Sequence, residues 1–428
     1  MERVTVFVWN HFTNDARVMR ECTTLSENGY EVNLIAIANK KIPGAVSYEE
    51  INDNFKVHRV PMYPAVLEYY LKRKKRVTLL TAASTAVLAP LLYKYSKSGL
   101  ILLLSSLTLT GTVLKNNQLR KNTIKLIRSL RMIKKGYQLQ ADIYHSNDLN
   151  TLAQGVICSV LHDSKLVYDS HEVQTDRTGY NPTTIKFVEK SLVRFADETI
   201  VENETRAAKH EELYGYRPKS LHNYSALYDI NNVRDIDLHS MLGIDYADKI
   251  LLYQGGVQYG RGLDVLIEAV KYIDNGVLVI IGDGKLKEEL VQKVEFENLT
   301  EKVKFLPKVP LEELPSYTKQ AYLAYQVLQN TSFNHYSASS NKLFEYIMAN
   351  IPVISCDFPE IKTVVEKENI GITVDADNPE IIASATQKLI DNPRLRDQLS
   401  RNCDKAKLKY NWGNEKAKLL DIYKSLSN

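Results

Sequence analysis

The chain is poor in cysteine, and the four it has follow no pattern. Cys22, Cys158, Cys356 and Cys403 are scattered through 428 residues, with no CxxC pair and no histidine-rich partner spacing. This excludes a disulfide framework and a cysteine-built zinc site, and a reducing, cytoplasmic setting suits it. No internal repeat or low-complexity segment is present. Residues 3–9 are a strand-like run with no charged leader and apolar core before them, so a secretory signal is not expected. The more consequential absence is acidic. Between Glu68 and Asp142 there is not one Asp or Glu, yet there are fifteen Lys and Arg, among them the run Lys72-Arg73-Lys74-Lys75-Arg76. The formal net charge of +4 hides this, because outside the tract 40 basic residues face 51 acidic ones, a balance of −11. With 44% hydrophobic and 25% charged residues the composition is globular, and the length suits two domains with separate cores.

Two uncharged apolar stretches, residues 77–93 and 99–114, lie inside the basic tract, separated by Lys94-Tyr95-Ser96-Lys97-Ser98. As helices they would reach roughly 25 Å at 1.5 Å per residue, slightly short of the ~30 Å hydrocarbon core. Their only polar residues are Ser and Thr, and dense Lys and Arg flank both outer ends, as expected beside anionic cytoplasmic lipid. A membrane hairpin is favoured, re-entrant or just spanning, with Val77, Leu80, Leu88, Leu92, Leu100, Leu103, Leu107 and Leu114 toward lipid. The competing reading is a helical hairpin buried in the soluble core or in a dimer contact. Residues 119–135 then alternate Leu119, Ile124, Ile127, Leu130 and Ile133 with basic residues at helical spacing. That fits an interfacial helix on headgroups or an ordinary surface helix. Nucleic acid is not expected as a partner, because no interleaved aromatics accompany the basic residues to stack bases.

Strand-like runs at residues 4–8, 32–36, 143–144, 165–168 and 198–201 alternate with helix-like runs at 16–28, 150–161 and 183–195. This order predicts a parallel, doubly wound α/β sheet. The pattern loosens over 221–249, a polar stretch suited to a linker, and restarts at 250–253 to repeat until about residue 390.

In this second half, glycine or a helix start follows an apolar β-run three times over. Gln254-Gly255-Gly256-Val257-Gln258-Tyr259-Gly260-Arg261-Gly262 comes first, and then the run 276–281 ending in Gly282-Asp283-Gly284. Ser339-Ser340-Asn341-Lys342-Leu343-Phe344-Glu345-Tyr346 comes last, leading into Ile351-Pro352-Val353-Ile354. Strand ends of this kind border the ligand crevice of an α/β sheet. There, flexible backbone N–H groups, helix starts, Arg261 and Lys342 can meet phosphate.

That ordered set resembles the C-terminal half of the family 4 glycosyltransferases. The likeness continues at Val167-Tyr168-Asp169-Ser170-His171-Glu172, at His145-Ser146-Asn147-Asp148 and at Asn14-Asp15-Ala16-Arg17-Val18, sparing only about residues 65–116. The resemblance implies the GT-B fold: two doubly wound Rossmann-like domains facing a cleft, here with a hydrophobic helical hairpin inserted in the N-terminal one. The acceptor-side domain would be 1–225, with the insert at about 68–118. A nucleotide-sugar domain would follow at 245–410, and a helix at 411–428 would pack back on the first domain. The implied reaction is sugar transfer from a nucleoside diphosphate donor with retention of anomeric configuration. Gly255, Gly256, Arg261, Gly282, Asp283, Asn341, Lys342, Leu343 and Glu345 would bind donor. His171, Arg261 and Glu345 would carry the catalytic roles: His171 beside the donor sugar, Arg261 on the departing diphosphate, Glu345 on the ribose hydroxyls. Two departures stand out. Ser337 occupies a position where members often have glutamate, and Gly256 one where they often have arginine.

Each residue also has a plain structural reading. Glu345 can act as a capping carboxylate with Lys342 one turn earlier, and His171 as a structural histidine. Asn14 and Asp15 can cap a helix or meet acceptor or phosphate, and Asn147 and Asp148 can line the acceptor side. Asp375-Ala376-Asp377 imitates a DxD metal motif, but it leads into Asn378-Pro379-Glu380, a turn and helix start. No metal and no cofactor are expected, and the nucleotide sugar, with UDP favoured, is the substrate. The expected enzyme is a hexosyl- or N-acetylhexosaminyl-type transferase at the cytoplasmic membrane face, using a lipid-linked acceptor in surface polysaccharide or glycoconjugate synthesis. Rival readings are a nucleotide-sugar epimerase of the same fold and an inactive subunit that scaffolds a membrane assembly.

Overall fold

The computed structural model of the protein describes residues 1–13, 15–39, 42, 46–177 and 179–427, with backbone alone at 65, 66, 71 and 109. Asn14, one of the expected site residues, lies outside the described residues. Contacts divide the chain into two units, Met1–Asp169 with Glu189–Thr199 and Ser170–Val188 with Ile200–Asn428.

The first sheet comprises β1 (Glu2–Phe7), β2 (Tyr30–Ala38), β3 (Tyr48–Asn52), β4 (Phe55–Pro61), β5 (Ile143–Asn147), β6 (Lys165–Ser170), β7 (Glu198–Val201) and β8 (Lys219–Ser220), in the order β3-β4-β2-β1-β5-β6-β7-β8. β1 pairs in parallel with β2 and β5, β2 with β4, and β5 with β6, whereas β3 joins β4 antiparallel. The apolar runs of β1 and β2 are buried nearly throughout, as a parallel sheet covered on both faces requires. β3 exposes Tyr48, Glu50 and Asn52, and a charged edge of this kind discourages further pairing. Asp15 caps the helix Ala16–Glu27 by accepting from the Val18 N–H.

Four helices interrupt this unit: Ala65–Lys72, Lys74–Tyr95, Lys97–Lys115 and Asn117–Leu139. The middle two hold 22 and 19 residues, about 33 and 28 Å long. They exceed the uncharged stretches because flanking basic residues join each helix. They contact one another, and no described side chain of either is buried. Leu79, Leu102, Val87 and Ile101 are 76, 71, 65 and 65% exposed. Half-buried Thr85, Ala89 and Leu92, and Leu100, Leu103, Leu107, Gly111 and Leu114, recur every three or four residues, as a seam between the two helices would. Val77 is also half-buried, whereas Leu80 and Leu88 face outward. Burial within this chain therefore does not account for these apolar helices.

The helix Asn117–Leu139 differs along its length in how far it packs on the unit. Its C-terminal half belongs to the core: Met132 and Gly136 are buried, and a Cβ at Gly136 would lie 2.6 Å from Phe7 Cζ. Arg131 donates to the Pro61 and Tyr63 carbonyls at 2.8 and 2.9 Å. Nearer its start, Leu119 and Leu126 are exposed.

The second sheet is wholly parallel. It contains β9 (Lys249–Gln254), β10 (Gly276–Ile281), β11 (Val303–Leu306), β12 (Leu323–Gln326), β13 (Val353–Cys356) and β14 (Gly371–Val374), ordered β11-β10-β9-β12-β13-β14. The order runs one way from β9 and the other from β12, so the switch point lies between them. A sheet of this kind binds ligand beyond the carboxyl ends of those two strands. A hydrophobic cluster drawn from residues between Tyr224 and Ala406 packs this sheet.

Candidate functional site

The loop 255–262 leaves β9 at the switch point and is pinned by backbone contacts no side chain could enter. The Gly255 N–H donates to the Ile281 carbonyl at 2.9 Å, the Val257 N–H to Asp283 O at 3.1 Å, and the Gln329 N–H to Gly260 O at 3.0 Å. Gly262 has φ +70, and a Cβ there would meet the Val327 carbonyl oxygen at 2.1 Å. Gly282 has φ +153, and its Cβ would meet Gly255 O at 1.9 Å. Both positions need glycine twice over, for the left-handed backbone and for the close approach. The two glycine clusters read from the sequence, at 255–262 and 282–284, thus hold one another.

The helix Asn341–Met348 follows β12 and brings Lys342 and Glu345 to the same place. Lys342 lies against Gly255, whose Cβ would be 3.4 Å from Lys342 Cε, and its Nζ rests 4.0 Å from the centre of the Tyr253 ring. The residue is 8% exposed. Burial first, and then the positive charge of Arg261, lowers its pKa to about 7, with Glu345 opposing. Arg261 is half-buried, and its Nε is sealed from solvent without a hydrogen bond. Among the described residues neither Arg261 nor Lys342 makes a hydrogen bond or an ion pair. Two basic side chains at a switch point, with no bonded counterion among the described residues, are an arrangement that favours an anion.

The Glu345 Oε2 accepts from Gln254 Nε2 at 2.6 Å. Leu343 is buried, a core anchor of the helix rather than a surface contact. Asn341 is exposed and accepts from Asn223 Nδ2 at 3.0 Å. Asp283 is engaged by its own loop: Lys287 Nζ at 2.8 Å and the Lys308 N–H at 2.9 Å hold its carboxyl below the usual range. His335, on the short helix Phe333–Tyr336, meets Thr331 Oγ1 at 2.9 Å, and burial and then Arg261 lower its pKa.

The segment carrying His171 is tied to the same unit through a buried arginine. Arg206 donates to the His171 carbonyl and to Glu202, to the Asn334 carbonyl at 3.3 Å and to Ser337 Oγ at 3.3 Å. Asn334 in turn accepts from the Val173 N–H at 2.8 Å and donates to its carbonyl at 3.1 Å. Ser337, where the resemblance expects glutamate, is fully buried, and its carbonyl accepts from Asn203 Nδ2 at 2.7 Å. It is a framework residue in this chain. Sequence reasoning missed Gln254, Tyr253, Thr318 and Arg206. Only Gln254 carried a signal, as a polar residue closing an apolar strand beside the glycines.

In the first unit Asp15, besides capping, accepts from Asn10 Nδ2 at 2.8 Å. Asn147 is buried and donates to the Phe7 carbonyl at 3.2 Å. Asp148 has φ +63, and its N–H donates to Asp169 O at 2.8 Å. Glu21, His145 and Asp169 converge closely enough to suggest a metal, yet Arg17 lies among them. Its guanidinium meets both Asp169 oxygens at 2.7 and 3.0 Å and Glu21 at 3.0 Å. The Asp375-Asp377 pair is a turn, with Asp375 accepting from the Asp377 N–H at 3.0 Å and Asp377 from Gln329 Nε2 at 2.9 Å.

Residues 237–406 match the family model described as glycosyl transferases group 1. A D-inositol 3-phosphate glycosyltransferase of Corynebacterium urealyticum is 22% identical over 315 residues, 67% of this chain and 72% of that protein. An uncharacterized glycosyltransferase of Methanocaldococcus jannaschii is 26% identical over 193 residues, 44% of this chain and 48% of that protein. Anabaena HepE in complex with UDP-glucose superposes with a TM-score of 0.69 at 14% identity, covering 99% of this chain and 100% of HepE. WaaG, a glycosyltransferase involved in lipopolysaccharide biosynthesis, does so with a TM-score of 0.62 at 14% identity, covering 98% and 99%. The architecture is GT-B.

Proposed function

We propose that this chain, a GT-B fold whose residues 237–406 match the glycosyl transferases group 1 model, is a glycosyltransferase that moves a sugar from a nucleoside diphosphate donor to a lipid-linked acceptor, with retention of configuration, at the cytoplasmic face of a membrane. The reading belongs to surface polysaccharide or glycoconjugate synthesis, with a hexose or N-acetylhexosamine as the sugar. One observation carries it: Arg261 and Lys342 meet at the β9/β12 switch point without a bonded counterion among the described residues. As the bond from the sugar's anomeric carbon to the diphosphate oxygen breaks, negative charge grows on that leaving oxygen. Preorganised cations out of water stabilise it most when the charge is greatest. Glu345, with two acceptor oxygens, suits the paired hydroxyls of a ribose. His171 is assigned to the donor-sugar side. UDP is favoured as the nucleotide, in keeping with the HepE complex. The reading needs no divalent cation, because Arg261 and Lys342 take that role.

The two solvent-facing apolar helices and their basic flanks support the membrane part of the proposal. No more than two of Asp, Glu, Lys and Arg fall in the most apolar window of each. The test is turnover of radiolabelled UDP-glucose and UDP-N-acetylglucosamine by purified protein, with and without a membrane lipid extract. The expected result is label moving to an organic-extractable product only when both are present. Conversion of donor alone supports the epimerase instead. Binding and turnover of neither donor, under any condition, supports the scaffold and overturns the proposal.

A further inference from the structure

We propose that Gln254 is a positioning residue for the donor: its amide clamps the Glu345 carboxylate in the orientation that receives the nucleotide's ribose. The inference rests on the donor reading of Glu345 given above. Gln254 ends β9 at the switch point and is 1% exposed. Its Nε2 donates to Glu345 Oε2 at 2.6 Å, and Thr318 Oγ1 donates to its Oε1 at 2.7 Å. Reversing the amide would press its carbonyl oxygen against the carboxylate at that same short distance, so the orientation is determined by charge. The Gln254 backbone adds a second hold on the same helix. Its N–H donates to Tyr346 Oη at 3.2 Å, and that hydroxyl donates to the Tyr325 carbonyl at 3.2 Å. Strand end and helix start are thereby locked through adjacent residues, Glu345 and Tyr346.

The chemistry of the clamp matters. A lysine or arginine at 254 would orient the carboxylate but also neutralise it, weakening its acceptance of ligand hydroxyls. An amide supplies a directed donor and leaves the negative charge in place. That charge also acts on Lys342, which Glu345 pushes toward its protonated form. One neutral residue thus serves both halves of a nucleoside diphosphate, directly on the ribose side and through charge on the phosphate side.

The test uses full-length protein and measures binding of inorganic pyrophosphate and of whichever of UDP, GDP and ADP binds wild type. Gln254→Leu is expected to raise the nucleotide Kd about tenfold while changing pyrophosphate Kd less than about twofold. Introduced into Glu345→Ala, it should cause no further loss. Gln254→Glu guards against a folding defect, being nearly isosteric. It should weaken nucleotide binding at pH 8 and recover as pH falls and the facing carboxylates share a proton. Equal loss of nucleotide and pyrophosphate, unchanged nucleotide affinity in Gln254→Leu, or full additivity with Glu345→Ala overturns the positioning role. Failure of wild type to bind any of the three nucleotides instead overturns the donor reading on which it stands.

Discussion

The Lys342 side chain, buried against the Tyr253 ring with Arg261 beside it, gives up its proton far more readily than an ordinary lysine, and this would make donor binding depend on pH. The Lys342 pKa is lowered to about 7, and a bound diphosphate would raise it again. Below that pH the ammonium is already charged in the free protein, and affinity should be flat. Above it, binding must recruit a proton, so UDP affinity should fall by up to about tenfold per pH unit until the pKa of the bound state is passed. Titrating UDP binding between about pH 6 and pH 9 checks this, and Lys342→Met should flatten the profile. Arg261→Ala removes a charge-assisted contact of about 1.5–3 kcal/mol, so kcat/KM for donor should drop ten- to a hundredfold or more with the melting temperature kept. Unchanged turnover at limiting donor would remove Arg261 from the site. Gln326 is a different case. Among the described residues both its polar atoms are buried without a hydrogen bond, and so is the hydroxyl of Ser355, its register partner. Unmet buried polar atoms cost about 1–3 kcal/mol. Gln326→Met, similar in volume, should therefore stabilise the protein by about 1 kcal/mol, read in a denaturant titration; a loss of stability would show that the amide is satisfied in solution.

Among the elements, the helices Lys74–Tyr95 and Lys97–Lys115 are the ones whose environment decides the localisation. Their apolar side chains face outward, and their ends carry the basic run 72–76 and the lysines 94, 97 and 115. Lipid burial should dominate attachment, while the basic flanks add a salt-sensitive part of about 1 kcal/mol per residue that fades within a Debye length of ~8 Å. Intact protein should sediment with membranes and resist high salt, yielding only to detergent. Deletion of residues 77–114 should release it to the soluble fraction with UDP binding intact, because every residue proposed to bind donor lies in the second unit. Intact protein that stays soluble without detergent at low salt would assign the apolar faces to contact between copies of the chain. The lipid-linked acceptor would then lose its main support.

Across the whole molecule, charge is segregated: a cationic insert is carried by a chain that is otherwise acidic. The same economy of counterions bears on metals. Where three metal-capable side chains meet, at Glu21, His145 and Asp169, the guanidinium of Arg17 already supplies the cation. A divalent ion there would face a fixed positive charge at close range. EDTA should therefore change neither donor turnover nor the melting temperature. Loss of activity on chelation, restored by Mn²⁺ or Mg²⁺, would reopen Asp375 and Asp377 as ligands.

What the sequence by itself determined is what short-range pattern can encode. Apolar β-runs punctuated by glycine predicted a parallel sheet and the loops at its carboxyl ends, because φ > 0 and close backbone approach leave glycine little competition. An acid-free stretch of apolar and basic residues predicted two apolar helices, because neither composition nor period offers a polar face. The positions of the loops 255–262 and 282–284 at the carboxyl ends of β9 and β10 were legible for the same reason. Only tertiary structure decided which groups partner which. Arg17 and Asp169 stand 152 residues apart, Gln254 and Glu345 91, and Arg206 and Ser337 131. No local pattern distinguishes the Glu345 that Gln254 clamps from a helix carboxylate beside a lysine. Nor does any pattern mark Ser337 as buried framework rather than a shortened ligand contact. Pairing at that range is set by strand order, which brings β9 beside β12 and so delivers their ends, and the residues just beyond them, to one place.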